Sequence, residues 1–189
     1  MDKIKVVILC GKAGAGKDAT LHKLMELYSD KYNEIVSCTT RSPREGEIDG
    51  VNYHFLTVEQ FTEKILNGDM LEATEFNGWH YGTMLSSLSR EKVNVGVFNP
   101  AGVACLLENS DLDLWIYEIE ASPKTRLIRQ LNREKYPNIP EILRRYYADE
   151  EDFKEFDSLD YGNASVDSLI NETEEDLEAN ANWIAAWTL

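Results

Sequence analysis

Residues 11–20 read GKAGAGKDAT. Gly11, Gly16 and Lys17 fit the phosphate-loop pattern G-x-x-x-x-G-K-S/T, in which successive backbone N–H groups converge on an anion where a helix begins. Gly11, Gly14 and Gly16 permit unusual backbone angles and let a phosphate approach closely. Ala13, Ala15 and Ala19 complete the rim, and Lys17 would reach the terminal phosphates. The last position departs from the pattern, because Asp18 stands where a Ser or Thr hydroxyl is expected. A carboxylate binds Mg²⁺ or its water more strongly than a hydroxyl does. It also sets a negative charge beside the phosphates, so it suits a metal-filled site. The other reading is that Asp18 charges the first turn of the helix, where an acid is favourable.

The elements around the loop have the order it requires. IKVVILC, residues 4–10, is an apolar β-branched run that predicts a buried central strand. Leu21, Leu24, Met25 and Tyr28 recur at helical spacing after the loop. Residues 34–88 read as short strands separated by turn signals, with a short helix over VEQFTEKIL ended by a glycine, and predict a small, mostly antiparallel insertion. Strand–helix alternation then returns. VNVGVF and LDLWIYEIE are strands. SPKTRLIRQLNRE is a helix capped by Ser122 with Pro123 at its first position. A helix starts at Pro140, SVDSLIN is a last strand, and a terminal helix carries Leu177, Ala181, Ile184 and Trp187 on one face. The acidic run ADEEDFKEFD, residues 148–157, reads as a solvated helix face. The pattern predicts an α/β three-layer fold around a mainly parallel sheet, with a small mixed α/β insertion and a helical lid.

The bulk numbers bound the function. A chain of 189 residues has room for one domain with a filled core. A net charge of -15 argues against affinity for nucleic acid polymers, which need basic surface. Cys10, Cys38 and Cys105 have no metal-ligand spacing. With no signal peptide and no apolar run long enough to span a membrane, a cytoplasmic protein is expected, without a membrane partner.

The stretch SCTTRSPREGEIDGVNYHFLTVEQF, residues 37–61, resembles the signature of guanylate kinases. MLEATEFNG, carrying Glu72, and WHYGT, carrying Tyr81 and Thr83, follow in the family's order. The resemblance is strong over residues 4–85 and weaker in RQLNRE, ILRRYYADEE and SLINETEEDLE. It implies one domain, residues 1–189, with a core (1–33, 89–128 and 157–189), a monophosphate-binding subdomain (34–88) and a lid (129–156). It implies phosphoryl transfer from ATP, with Mg²⁺, to GMP or dGMP, by a monomer or homodimer whose ligands are small nucleotides. It assigns the ATP phosphates to residues 11 and 13–19. Arg41, Arg44, Tyr53 and Tyr81 go to the acceptor phosphate, for which two guanidinium forks are well suited. Glu72 can accept from guanine N1–H and the 2-amino group, and Ser37 and Thr83 can donate to O6; adenine offers neither match. Lys17, Arg41, Arg133 and Arg145 are the expected catalytic cations. Arg129 joins the lid set, Arg144 competes with Arg145 for its place, and salt bridging to nearby acids is the other reading of all of them. Asn171 is expected near the adenine.

One departure stands out. The family's strand equivalent to VNVGVF ends in Asp-x-Asp, where this chain has Val97 and Asn99. Asp18 is therefore expected to relocate a metal-side carboxylate to the phosphate loop. Two alternatives to guanylate kinase activity remain at this stage: a deoxynucleoside monophosphate kinase of broader or shifted base specificity, and an inactive module that binds phosphorylated peptides.

Overall fold

Strand β1 (Ile4–Cys10) is buried from Val6 to Cys10, as its unbroken apolar run requires. In the computed structural model, which describes residues 3–189 except 45, 77 and 134, β1 lies at the centre of a sheet. Among the described residues that sheet has five strands in the order β2-β7-β1-β8-β9, all parallel. The others are β2 (Tyr32–Glu34), β7 (Val93–Val97), β8 (Leu112–Glu120) and β9 (Ser165–Ile170). Alternation along β1 divides the core into two layers. Val7 and Leu9 pack with Leu21 and Leu24 of α1 (Lys17–Tyr28) and with Ala181 and Ile184 of α6 (Glu174–Thr188). Val6 and Ile8 pack with Val103 and Leu106 of α3 (Pro100–Leu107) and with Phe153 and Phe156 of α5 (Ile139–Phe156). Each buried Val, Leu, Ile or Phe among them contributes about 1.5–3 kcal/mol by leaving water. The three-layer α/β arrangement expected from the sequence is the one observed.

Four short strands form a second sheet in the order β4-β3-β6-β5. They are β3 (Cys38–Thr39), β4 (His54–Phe55), β5 (Met70–Phe76) and β6 (Trp79–Met84). β6 pairs antiparallel with both neighbours, whereas β3 and β4 run parallel. Helix α2 (Val58–Leu66) starts at a capping box in which Thr57 and Gln60 satisfy each other's amides, and its Phe61 is buried. Helix α4 (Pro123–Asn132) has Ser122 as its cap, accepting from the Thr125 amide.

Two expectations change. Trp187 is 64% exposed and leans on Trp183, because α6 buries the Ala181–Ile184–Ala185–Thr188 stripe instead. The acidic run is not one solvated face. Phe153 and Phe156 anchor it in the core, and Asp149 and Glu150 reach the phosphate loop. No helix of the described residues is long and apolar enough to cross a membrane.

Candidate active site

The loop leaves the carboxyl end of β1 and turns straight into α1. Gly11 (φ 147°) sits so close to β8 that a Cβ would collide with the Ile119 carbonyl. Gly16 (φ 104°) caps α1 in the left-handed region, and a Cβ there would strike the Asn171 carboxamide. Lys17 opens the helix and curls back, its Nζ donating to the Gly11 carbonyl at 2.6 Å. Asp18 and Ala19 follow as exposed residues of the first turn. Asn171 is buried and donates to the Ala15 carbonyl at 2.9 Å. Arg129 braces the same side of the loop, donating to the carbonyls of Ala15 at 3.1 Å and Asn171 at 2.9 Å. Its guanidinium is thus spent on backbone carbonyls instead of facing the cluster of arginines described next.

Arg41 is 6% exposed and is fixed on three sides. Its Nη1 donates to the Ser42 carbonyl at 2.7 Å, its Nη2 donates to Glu47 at 2.9 Å, and its guanidinium stacks near the rings of Tyr53 and Phe55. Glu47 also accepts from the Arg44 amide at 2.7 Å, so one carboxylate shapes the whole turn. Burial pushes the Glu47 carboxyl up, but the bonds from Arg41 and the Arg44 amide win and hold it below its ordinary value. Arg44 is pulled below its usual range first by burial and then by three cations, Arg145, Arg41 and Arg133. Arg44 of the insertion therefore feels the charge of arginines from the α4–α5 region. Arg145 donates to one oxygen of Glu141 at 2.8 Å and is partly buried, while Arg144 donates to both oxygens of Glu141 and stands further out. Tyr53 and Tyr81 meet edge to face with ring centres 6.1 Å apart. Burial, and then the nearby Asp18 carboxylate, pushes the Tyr53 phenol up. Asp18 is thus close enough to be felt on the arginine side of the loop.

Glu72 and Thr83 sit directly opposite each other on β5 and β6. Glu72 is 8% exposed and Thr83 fully buried. Burial raises the Glu72 carboxyl to about 7, with Thr83 holding back part of the rise. The Thr83 hydroxyl nonetheless makes no full hydrogen bond with the protein. An ionisable acid beside an unsatisfied hydroxyl is costly in an apolar interior and suits a polar ligand that would pair with both. Ser37 flanks this pocket at the start of β3, partly buried, its carbonyl accepting from the His54 amide. Asn99 caps α3, its Oδ1 accepting from the Gly102 amide at 2.7 Å. A Cβ on Gly102 would lie 3.1 Å from Asn99 Oδ1 and 3.5 Å from the Glu72 carboxylate, so the first turn of α3 stands directly against Glu72. Val97 only ends β7. Glu47 and Gly102 carry local geometry that residue type alone did not reveal. Glu47 is visible in hindsight as the acid three residues after Arg44, at the reach of its amide.

Comparison with known proteins agrees with this arrangement. A family model described as "Guanylate kinase" matches residues 3–179. A guanylate kinase of Clostridium perfringens is 46% identical over 85 residues, 45% of this chain and 39% of that protein, so the match spans about two fifths of that relative's length. A guanylate kinase of a Ruegeria species is 34% identical over 179 residues, covering 92% of this chain and 81% of the relative. The crystal structure of guanylate kinase from Anaplasma phagocytophilum superposes with a TM-score of 0.68 at 19% identity, covering 100% of this chain and 88% of the other, which speaks for the fold. By its family model, its long relative and the order of its loop, arginine turn and Glu72–Thr83 pair, this chain belongs to the guanylate kinase family.

Proposed function

We propose that this protein transfers the terminal phosphoryl group of ATP to GMP or dGMP. The observation that carries the reading is the arginine turn, where Glu47 holds the buried Arg41 by its guanidinium and Arg44 by its amide, beside the rings of Tyr53 and Tyr81. Two guanidinium forks and two phenols on one turn suit a dianionic monophosphate. The Glu72–Thr83 pair supports guanine as the base, since an ionised Glu72 accepts from two adjacent donors and Thr83 has a hydroxyl to give.

On this reading the residues divide the work. The loop amides and Lys17 bind the donor phosphates. Arg41, Arg44, Tyr53 and Tyr81 hold the acceptor phosphate, with Glu47 as the residue that positions both arginines. Arg133 and Arg145, in a lid of residues 129–156, neutralise charge that builds up during transfer. The acceptor phosphate is already an anionic nucleophile, so no general base is required. Exclusion of water by the closed lid protects ATP from hydrolysis.

Among the described residues no three His, Cys, Asp or Glu side chains stand together to hold a metal. One carboxylate suits Mg²⁺, which takes one or two protein oxygens and completes its shell with phosphates and water. Asp18 would be that ligand, and the ion would offset phosphate charge when bound.

Steady-state rates with ATP and a panel of GMP, dGMP, AMP, dTMP and dCMP test the proposal. The guanine nucleotides should exceed the others by ~10³-fold or more in kcat/KM, because the wrong base leaves buried polar groups unpaired. Turnover of a pyrimidine nucleotide above dGMP would overturn the base assignment.

A further inference from the structure

Two neighbouring acids of α5 reach across to the phosphate loop. Asp149 accepts from the Ala13 amide at 2.6 Å, through a contact between residues 136 apart in the chain. Glu150 accepts from Lys12 Nζ at 2.8 Å and from Arg126 Nη2 at 3.1 Å. Arg126 is 3% exposed and lies over the Tyr146 ring, while its Nε has no partner in the protein. Lys12 lies near the Phe153 ring. A loop amide and two side-chain cations are thus all engaged by carboxylates from one turn of one helix. Backbone amides of such a loop face anions, and a carboxylate oxygen satisfies them in the same way as a phosphate oxygen.

We propose that Asp149 and Glu150 form an internal acidic latch that occupies part of the donor-phosphate site in the empty protein and is displaced by the incoming nucleotide. This rests on the reading of residues 11 and 13–19 as that site. The latch lowers donor affinity, because a site that is free in only a fraction of molecules binds with its affinity reduced by that fraction. Phosphate charge and the Asp149 carboxylate repel each other, so nucleotide entry drives the acid off. The Glu150 contacts border a cleft of about 590 Å³ lined by Lys12, Glu118, Arg126, Tyr146 and Glu150, so this acid has room to withdraw without repacking the core. The latch thereby ties the position of α5 to donor occupancy.

The test is binding, not turnover. Affinity for a β,γ-imido analogue of ATP, with Mg²⁺, is measured by calorimetry on the full chain for the wild type, Asp149→Ala, Asp149→Asn and Lys17→Ala. GMP binding by the same four proteins reports on the folded state. Asp149→Ala should bind the analogue about tenfold more tightly than the wild type, and Asp149→Asn should fall between them, since a neutral amide still accepts but does not repel. GMP affinity should be unchanged. If both Asp149 variants bind the analogue as the wild type does, or more weakly, while Lys17→Ala loses it, the latch is overturned and the donor site stands. If Lys17→Ala binds as the wild type does, or no protein binds the analogue, the donor-site reading falls and the latch falls with it.

Discussion

The two halves of the site are built by different means. Around the arginine turn and Glu72 the contacts are short in sequence: Glu47 meets Arg41 six residues away and the Arg44 amide three away, and Glu72 faces Thr83 across one hairpin. Around the phosphate loop they are long. Asn171 holds the Ala15 carbonyl from 156 residues away, and Asp149 holds the Ala13 amide from 136. A motif read along the chain can describe the first kind of site almost completely. It can describe only the loop of the second, because the partners arrive from elsewhere in the fold.

That contrast can be broken or sharpened by substitution. The largest effect is expected from Arg41→Met, which removes a phosphate cation and leaves the partly buried Glu47 carboxylate with the Arg44 amide but without its ion pair. A fall of ~10³-fold in kcat/KM for GMP is expected from initial rates. A change below tenfold would mean that the local arginine turn does not bear on the acceptor.

Glu72→Gln comes next, with a loss of ~10²-fold in kcat/KM for GMP and little for ATP. Its pH dependence has a definite sign. The folded carboxyl titrates near 7, against 4.5 in the unfolded chain. The folded state therefore keeps a proton that the unfolded state releases between those values. The stability contribution is fully present below about 4.5, declines as pH rises, and is lost above about 7. Without nucleotide, Glu72→Gln should thus unfold later than the wild type at pH 8, by up to about 3 kcal/mol, with the gap closing at pH 4.5. In kinetics, the wild-type KM for GMP should rise below pH 7 as Glu72 protonates, and the variant should lack that limb.

Thr83→Val tests the same pocket more gently. It removes a buried hydroxyl that has no full partner, so denaturant unfolding without ligand should be unchanged or slightly delayed. GMP affinity should fall by about tenfold. Matching losses of affinity and stability would assign the hydroxyl a structural role instead. The smallest effect probes the donor side. Asp18→Ser should shift the Mg²⁺ concentration for half-maximal rate by about threefold to tenfold, in keeping with one charged ligand among several, and Asp18→Ala further. An identical metal dependence in all three proteins would leave Asp18 as a helix-terminus charge only.

Much of this was legible from residue order. β1, the loop and α1 follow from an apolar run, spaced glycines and helical periodicity, and the two-sided core follows from alternation along one strand. The hairpin bearing Glu72 and Thr83 follows from turn signals. What was not legible depends on tertiary partners. Arg129 looks like any lid cation until the carbonyls that engage it are in place. Trp187 looks like core by periodicity, but α6 buries the face of Ala181, Ile184, Ala185 and Thr188 and leaves the indole exposed. The acids of 148–157 read as surface because composition carries no information about what a helix crosses.

Helix α5 unites these distances in one rigid body. Arg145 and Asp149 are one turn apart, and Phe153 and Phe156 fix the far end in the core. A helix rises 1.5 Å per residue, so about 16 Å of arm separates the buried end from Arg145. A tilt of roughly 10° about that pivot would swing the guanidinium by about 3 Å, a full hydrogen-bond length, and would carry Asp149 off the loop in the same stroke. The side chain that engages the phosphate loop and the arginine one turn before it therefore share one lever, and neither can be retuned without moving the other.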